Sequence, residues 1–157
     1  MVLNPGGNWD LKRWPKENFA RLGKRLIKEY QAKVIITGAR ADLNLAQDIA
    51  AQMEQQPLIF CGKTTLKQLA ALMAKVSLVI SNDSGPMHIA VSQKTKVIAL
   101  FGPTSPQITG PYGRGNYTVI HRDVGCATPC YQLDCSDNRC MKAITVDDVL
   151  QAVEKMR

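Results

Sequence analysis

Aromatic residues are scarce: two tryptophans, four tyrosines and three phenylalanines make up 6% of the 157 residues. They are too few and too scattered to form the stacked platforms on which single-stranded nucleic acids lie, and no nucleic-acid-binding motif is present. No apolar run approaches the roughly 18 residues that a membrane-spanning helix requires. The opening Met-Val-Leu-Asn-Pro-Gly-Gly has neither the basic nor the hydrophobic region of a secretory leader, so the expected location is cytoplasmic. Two nucleotide fingerprints are also missing. There is no GxGxxG, which counts against a standard NAD site. Gly62-Lys63-Thr64 lacks the earlier glycine of a P-loop, because position 57 is Pro57.

What is present is ordinary in amount and uneven in distribution. Hydrophobic residues are 45% and charged residues 21%, the proportions of a soluble globular domain long enough for a sizeable core. The formal charge is +7. Residues 1–33 hold eight basic side chains (Lys12, Arg13, Lys16, Arg21, Lys24, Arg25, Lys28, Lys33) and three acidic ones (Asp10, Glu17, Glu29), so most of the excess sits there. Two readings stand: a face for an anionic partner, whether nucleic acid, a phosphorylated metabolite or an anionic membrane surface, or a solvated helix face.

Short β-branched runs alternate with amphipathic stretches, the pattern of βαβ units and a parallel sheet with helices on both faces. Val2 and Leu3 end a first strand. After the turn at Asn4-Pro5-Gly6-Gly7, Pro15 suits the first turn of a helix that buries Phe19, Leu22, Leu26, Ile27 and Tyr30. Strands are expected over 33–37, 58–61, 76–81 and 96–101, with an edge strand over 117–121. Helices are expected over 42–53, burying Leu45, Ile49 and Met53, over 65–75, burying Leu66, Leu69 and Met73, and over 86–92. Thr145 caps a terminal helix with Asp147 and Asp148 in its first turn. The first strand begins at Met1 with hardly any residues before its turn, which suggests a piece of a longer protein.

In open parallel sheets, ligands bind beyond the carboxyl ends of the strands, so the residues after each strand carry the functional reading. The sequence Asp83-Ser84-Gly85-Pro86, leading to His88 one turn into a helix, offers backbone N–H groups to an anion at the positive end of the helix dipole. Asp83 can accept from sugar hydroxyls and His88 can donate to a phosphate oxygen. The competing readings are a simple cap for Ser84 and a half-buried structural histidine for His88. Lys12 is the natural charge partner of a diphosphate, or a solvated lysine. Asp42 lies where α/β nucleotide sites place an acid on ribose, or is a helix-capping acid. Gly6, Gly7, Asn8, Gly38, Gly62 to Thr64 and Gly102-Pro103-Thr104 are expected on the same rim.

Four segments, Asn-Pro-Gly-Gly-Asn-Trp-Asp-Leu-Lys-Arg-Trp-Pro (4–15), Gly-Lys-Thr-Thr-Leu (62–66), Ser-Asn-Asp-Ser-Gly-Pro-Met-His-Ile-Ala (81–90) and Leu-Phe-Gly-Pro-Thr-Ser-Pro (100–106), occur in this order across the chain. Together they resemble the C-terminal half of the family 9 glycosyltransferases, the ADP-heptose:lipopolysaccharide heptosyltransferases, most like the type II enzymes. The resemblance implies a GT-B enzyme of two Rossmann-like domains. Residues 1–157 would be the one that binds the nucleotide-sugar donor, and the N-terminal acceptor domain would be absent. It places Lys12 at the diphosphate, Asp42 on the ribose and Thr64 near the adenine, with Gly6 and Gly7 also in the donor site. Asp83, Ser84, Gly85 and His88 would meet the diphosphate and heptose. It further implies an inverting transfer to the lipopolysaccharide inner core that needs no metal, with an acidic base in the absent domain. On this reading the chain alone binds donor but transfers poorly.

Cys61 is expected in a buried strand. Cys126, Cys130, Cys135 and Cys140 fall within fifteen residues of a loop with little core potential. Four such thiols suit a structural zinc or iron–sulfur site in a reducing compartment, or two disulfides after oxidation. They also resemble cysteines of several family members, which allows a purely structural lineage feature.

Overall fold

The structure, a computed structural model, describes residues 1–157. Six strands, β1 (Val2–Asn4), β2 (Ile35–Ile36), β3 (Leu58–Ile59), β4 (Val79–Asn82), β5 (Val97–Phe101) and β6 (Tyr117–His121), form one sheet in the order β3-β2-β1-β4-β5-β6. Every pairing is parallel. The connections carry α1 (Lys16–Tyr30), α2 (Leu43–Ala51), α3 (Leu66–Met73), α4 (Gly85–Ser92) and α5 (Pro106–Thr109), and α6 (Arg139–Lys142) and α7 (Val146–Lys155) follow β6.

Successive strand residues point to opposite faces, and the core divides accordingly. Leu3, Ile80, Ile98 and Leu100 face one way, packing with Trp14 and with Phe19, Leu22 and Leu26 of α1, Ile49 of α2, and Val149 and Val153 of α7. Val2, Val79, Val97, Ala99 and Phe101 face the other way, against Leu69 and Met73 of α3 and Met87 and Val91 of α4. Burial on both faces explains why these strands read as continuous apolar runs.

The expected elements all form, with altered ends. The second and third strands shrink to two residues each, and Pro15 stands at the N-cap of α1 rather than inside its first turn. The helix expected to start at Asp42 is preceded by a 3-10 turn over Arg40–Asp42. Leu66, expected inward, is 74% exposed, because Thr65 caps α3 and its first residue lies at the open end. Leu45, Ile27 and Tyr30 are only half-buried, at the margins of the core. The short helices α5 and α6 lie in stretches read as loops, since four residues are too few for a periodic pattern to show.

The N-terminus of α7 is a reciprocal cap. The Thr145 hydroxyl accepts from the Asp148 backbone N–H at 3.1 Å, and the Thr145 N–H donates to Asp148 Oδ2 at 2.9 Å. Burial alone would raise the Asp148 carboxyl. The Thr145 N–H and the Arg122 guanidinium outweigh it and hold the carboxyl below its ordinary range. A depressed folded-state value means that Asp148 stabilises fully above its unfolded value, about 3.9, and that this contribution is lost as pH falls through the lower folded value. Asp148→Asn is therefore expected to cost about 1 kcal/mol at pH 7 and to flatten the stability profile below pH 4. Urea unfolding between pH 2 and 7 measures both, and a mutant profile parallel to that of the wild type would refute the assignment.

The basic segment at 1–33 is largely neutralised by acids brought from elsewhere. Lys16 pairs with Asp48 at 2.6 Å, Lys24 pairs with Glu54, and Arg25 reaches both Glu29 and Asp147 at 2.6 Å. The expected anionic-membrane face thus finds no support in this structure, because much of its charge is already matched. No helix is long and apolar enough to cross a membrane.

Candidate functional site

The strand order reverses direction between β1 and β4, and at such a switch point the two flanking connections leave on opposite faces and open a crevice at the carboxyl ends of the strands. A cavity of about 350 Å³ occupies that place here. Asn4 ends β1 and Gly6, Gly7, Asn8 and Lys12 follow it, Gly38, Ala39 and Asp42 come from the segment after β2, and Asp83, Ser84, Gly85, Pro86 and His88 from the segment after β4. Thr109, at the end of α5, completes the lining.

Buried polar groups set the spacing of these turns. Asn82 is fully buried at the end of β4. Its Nδ2 donates to the Pro5 carbonyl at 2.8 Å, and its Oδ1 accepts from the Trp14 backbone N–H at 3.1 Å. Asn4, opposite Ser81 in the sheet, donates through Nδ2 to the hydroxyls of Ser81 at 3.2 Å and Ser84 at 3.0 Å, and accepts from Thr37 at 3.3 Å. Satisfied networks of this kind rigidify the site they support. They carry the segment with Lys12 across to β4, where Lys12 Nζ donates to Asp83 Oδ2 at 2.9 Å. The lysine side chain is 24% exposed and the aspartate only 5%, so the pair is partly sheltered from water.

The structure decides between several of the competing readings. Lys12 is not a free solvated lysine, and His88 is exposed on the cavity wall rather than half-buried in the core. Ser84 occupies the N-cap of α4 without a side-chain capping bond, its hydroxyl being engaged with Asn4, Ser81 and the Asn82 carbonyl. Asp42 stands at the N-cap of α2 without a side-chain capping bond. Its Oδ2 accepts from the Ala39 N–H at 2.8 Å, and the residue still lines the cavity. A Cβ at Gly6 would stand 2.5 Å from Asp42 Oδ2, so Gly6 is glycine because the carboxylate packs on its backbone. Arg13 ties the same corner together by donating to the Gly7 carbonyl at 2.7 Å. At Gly85 a Cβ would meet nothing within 4 Å, so internal packing does not demand a glycine there.

Thr64 is not brought to this cavity, because it stands just ahead of the cap of α3. Gly102 and Pro103 also turn away from it, lining a neighbouring cavity of about 380 Å³ together with the four loop cysteines. All five cysteines are free thiols. No three Cys, His, Asp or Glu side chains stand close enough to hold a metal ion, so the zinc or iron–sulfur expectation for Cys126, Cys130, Cys135 and Cys140 is not supported. Two of the sulfurs are occupied with Asn138, whose N–H donates to Cys135 Sγ at 3.4 Å and whose Oδ1 accepts from Cys140 Sγ at 3.6 Å. Burial pushes the Cys140 thiol above its usual range. Cys61 is buried as expected, but in the turn after β3 rather than in the strand, and burial pushes its thiol up to about 11.

Sequence reasoning did not single out Asn4, Ala39 or Thr109, whereas Asn8, expected on the rim, lines the cavity. Asn4 stands at the head of the glycine turn, and its signal was the motif itself. Thr109 had none, since α5 was read as loop.

A six-stranded parallel sheet wound on both faces, with a polar crevice at its switch point, defines a Rossmann-like domain of the kind from which GT-B glycosyltransferases are built. The model of glycosyltransferase family 9 (heptosyltransferase) matches residues 1–139, and the chain belongs to that family. It is 34% identical over 163 aligned residues to a lipooligosaccharide heptosyltransferase 2 of Campylobacter jejuni, covering 99% of this chain and 51% of that protein. The solved structure of Escherichia coli ADP-heptose LPS heptosyltransferase II superposes with a TM-score of 0.85 at 29% identity, covering 99% of this chain and 45% of the other. A family 9 glycosyltransferase of Veillonella parvula gives 0.84 at 32%, with the same coverage. The chain thus spans about half the length of the relatives it matches.

Proposed function

We propose that this chain is the donor-binding half of a cytoplasmic, inverting heptosyltransferase that takes heptose from ADP-heptose and adds it to the lipopolysaccharide inner core. One observation carries the reading. Of the nine candidate donor residues, eight (Gly6, Gly7, Lys12, Asp42, Asp83, Ser84, Gly85 and His88) converge on one cavity at the switch point. The likeness to the E. coli structure, that of an ADP-heptose LPS heptosyltransferase, supports the donor assignment.

The chemistry follows from the residues present. Departure of a nucleoside diphosphate develops negative charge on the β-phosphate. Groups already aimed at that charge stabilise it without reorganising. Lys12 uses one of its ammonium protons on Asp83 and keeps the others for phosphate oxygens. His88 donates from the first turn of α4. At the start of α4, where Pro86 has no N–H and that of Met87 donates to the Ser84 carbonyl at 3.1 Å, the Gly85 N–H and the positive end of the helix dipole add to this. The open space at Gly85 lets the diphosphate approach that backbone. The acceptor site and the base that deprotonates the acceptor hydroxyl belong to the other half of the parent protein, so the chain alone is expected to bind donor and transfer little.

Calorimetric titration with ADP, UDP and GDP tests the reading. The expected result is saturable binding of ADP at least tenfold tighter than of UDP or GDP. Equal affinity for all three would remove the adenine assignment. No binding of any at millimolar concentration would sink the donor-site reading.

A further inference from the structure

Thr109 enters the cavity from α5, yet neither packing nor the diphosphate scheme gives it a task. Its hydroxyl stands 3.1 Å from Asp83 Oδ2 and 3.3 Å from the Ser105 carbonyl. A hydroxyl has one proton to donate, and the nearer, charged carboxylate is the stronger acceptor. The same Oδ2 also accepts from Lys12 at 2.9 Å. Two donors from two separate loops, one after β1 and one after β5, therefore converge on a single oxygen of a side chain that is only 5% exposed. The other oxygen, Oδ1, accepts no hydrogen bond from the protein.

This arrangement restricts what can lie against Asp83. A carboxylate with one oxygen committed and one free is a fixed acceptor with no proton to give. A dianionic diphosphate brings only acceptors and negative charge, so it cannot satisfy Oδ1. A polyhydroxylated sugar brings O–H donors. We propose that Thr109 is a positioning residue which, with Lys12, holds Oδ2 of Asp83 so that Oδ1 is kept for a hydroxyl of the donor's sugar. The proposal rests on the donor-site reading above and adds the determinant by which the site would tell a sugar nucleotide from the bare nucleotide.

The test compares the affinities of ADP-heptose and ADP for the wild type, Thr109→Val and Thr109→Ser, measured by calorimetry on the whole chain. Valine keeps the shape and removes the hydroxyl, whereas serine keeps the hydroxyl. The ratio of ADP-heptose to ADP affinity is expected to fall five- to tenfold in Thr109→Val and to return to within twofold of wild type in Thr109→Ser. A structural defect would weaken both ligands alike and leave the ratio unmoved. That outcome, an unchanged Thr109→Val, or a serine variant that does not restore the ratio would each overturn the proposal. If the wild type binds neither ligand, the donor-site reading itself fails and takes this one with it; if the wild type binds ADP and only the ratio test fails, the donor-site reading survives alone.

Discussion

Lys12→Ala is expected to weaken ADP binding by about 30- to 100-fold. Two losses combine. A charge-assisted hydrogen bond to a phosphate is worth about 1.5–3 kcal/mol, and each 1.4 kcal/mol is tenfold in affinity. The substitution also strips Asp83 of its only cationic partner, at a position where the aspartate side chain is 5% exposed and retains just the Thr109 hydroxyl. A nearly buried carboxylate without its counter-charge repels an incoming diphosphate, so the remaining site becomes less favourable than a neutral one. Titration of the variant with ADP measures the effect. An affinity within threefold of wild type would show that the diphosphate does not lie against Lys12.

Trp14→Ala is expected to cost about 3–5 kcal/mol of folding stability, the range for removing a large aromatic from a core. Trp14 is 2% exposed and meets Phe19 edge-on, with ring centroids 5.0 Å apart and planes at 80°. Its indole N–H donates to the Ile144 carbonyl at 2.8 Å, just ahead of α7. The side chain thus clamps the segment that bears Lys12 to the C-terminal part of the fold. Trp14→Phe separates the two contributions, because it keeps most of the packing and removes the N–H. Its cost is expected to be less than half that of alanine. Urea unfolding of both variants gives the comparison, and a loss below 1 kcal/mol for Trp14→Ala would show that the loop is not anchored through this residue.

The turn after β4 was the most legible part of the site. An acid, a capping serine, a glycine and a helix-starting proline in four consecutive residues are a local signal, and local signals survive without knowledge of the fold. Lys12 and Asp42 were ambiguous for the opposite reason. Whether a lysine is solvated or paired depends on what stands opposite, and Asp83 is 71 positions away in the chain. The basic segment shows the same limit. Its excess charge counted along the sequence is real, but Asp48, Glu54 and Asp147 arrive from α2, from the loop after it and from α7 to neutralise it. Thr109 was invisible, since a threonine in a turn-rich stretch carries no signal until α5 folds it over Asp83. The cysteines misled: spacing within one loop says that four thiols are near in sequence, not that their sulfurs point to one centre.

By itself, the sequence determined the alternation of strand and helix, the parallel class of the sheet, and the rim on which the loops gather. These follow from periodicity and turn chemistry, which act over a few residues. The tertiary structure alone decided the order β3-β2-β1-β4-β5-β6, and with it the reversal between β1 and β4 that opens the crevice. Strand order depends on which sheet edge each crossover returns to, a matter of packing between segments far apart in the chain. That is why most residues of the crevice could be named one by one, while Thr109, and the pairing of Asp83 with it and with Lys12, had to be seen.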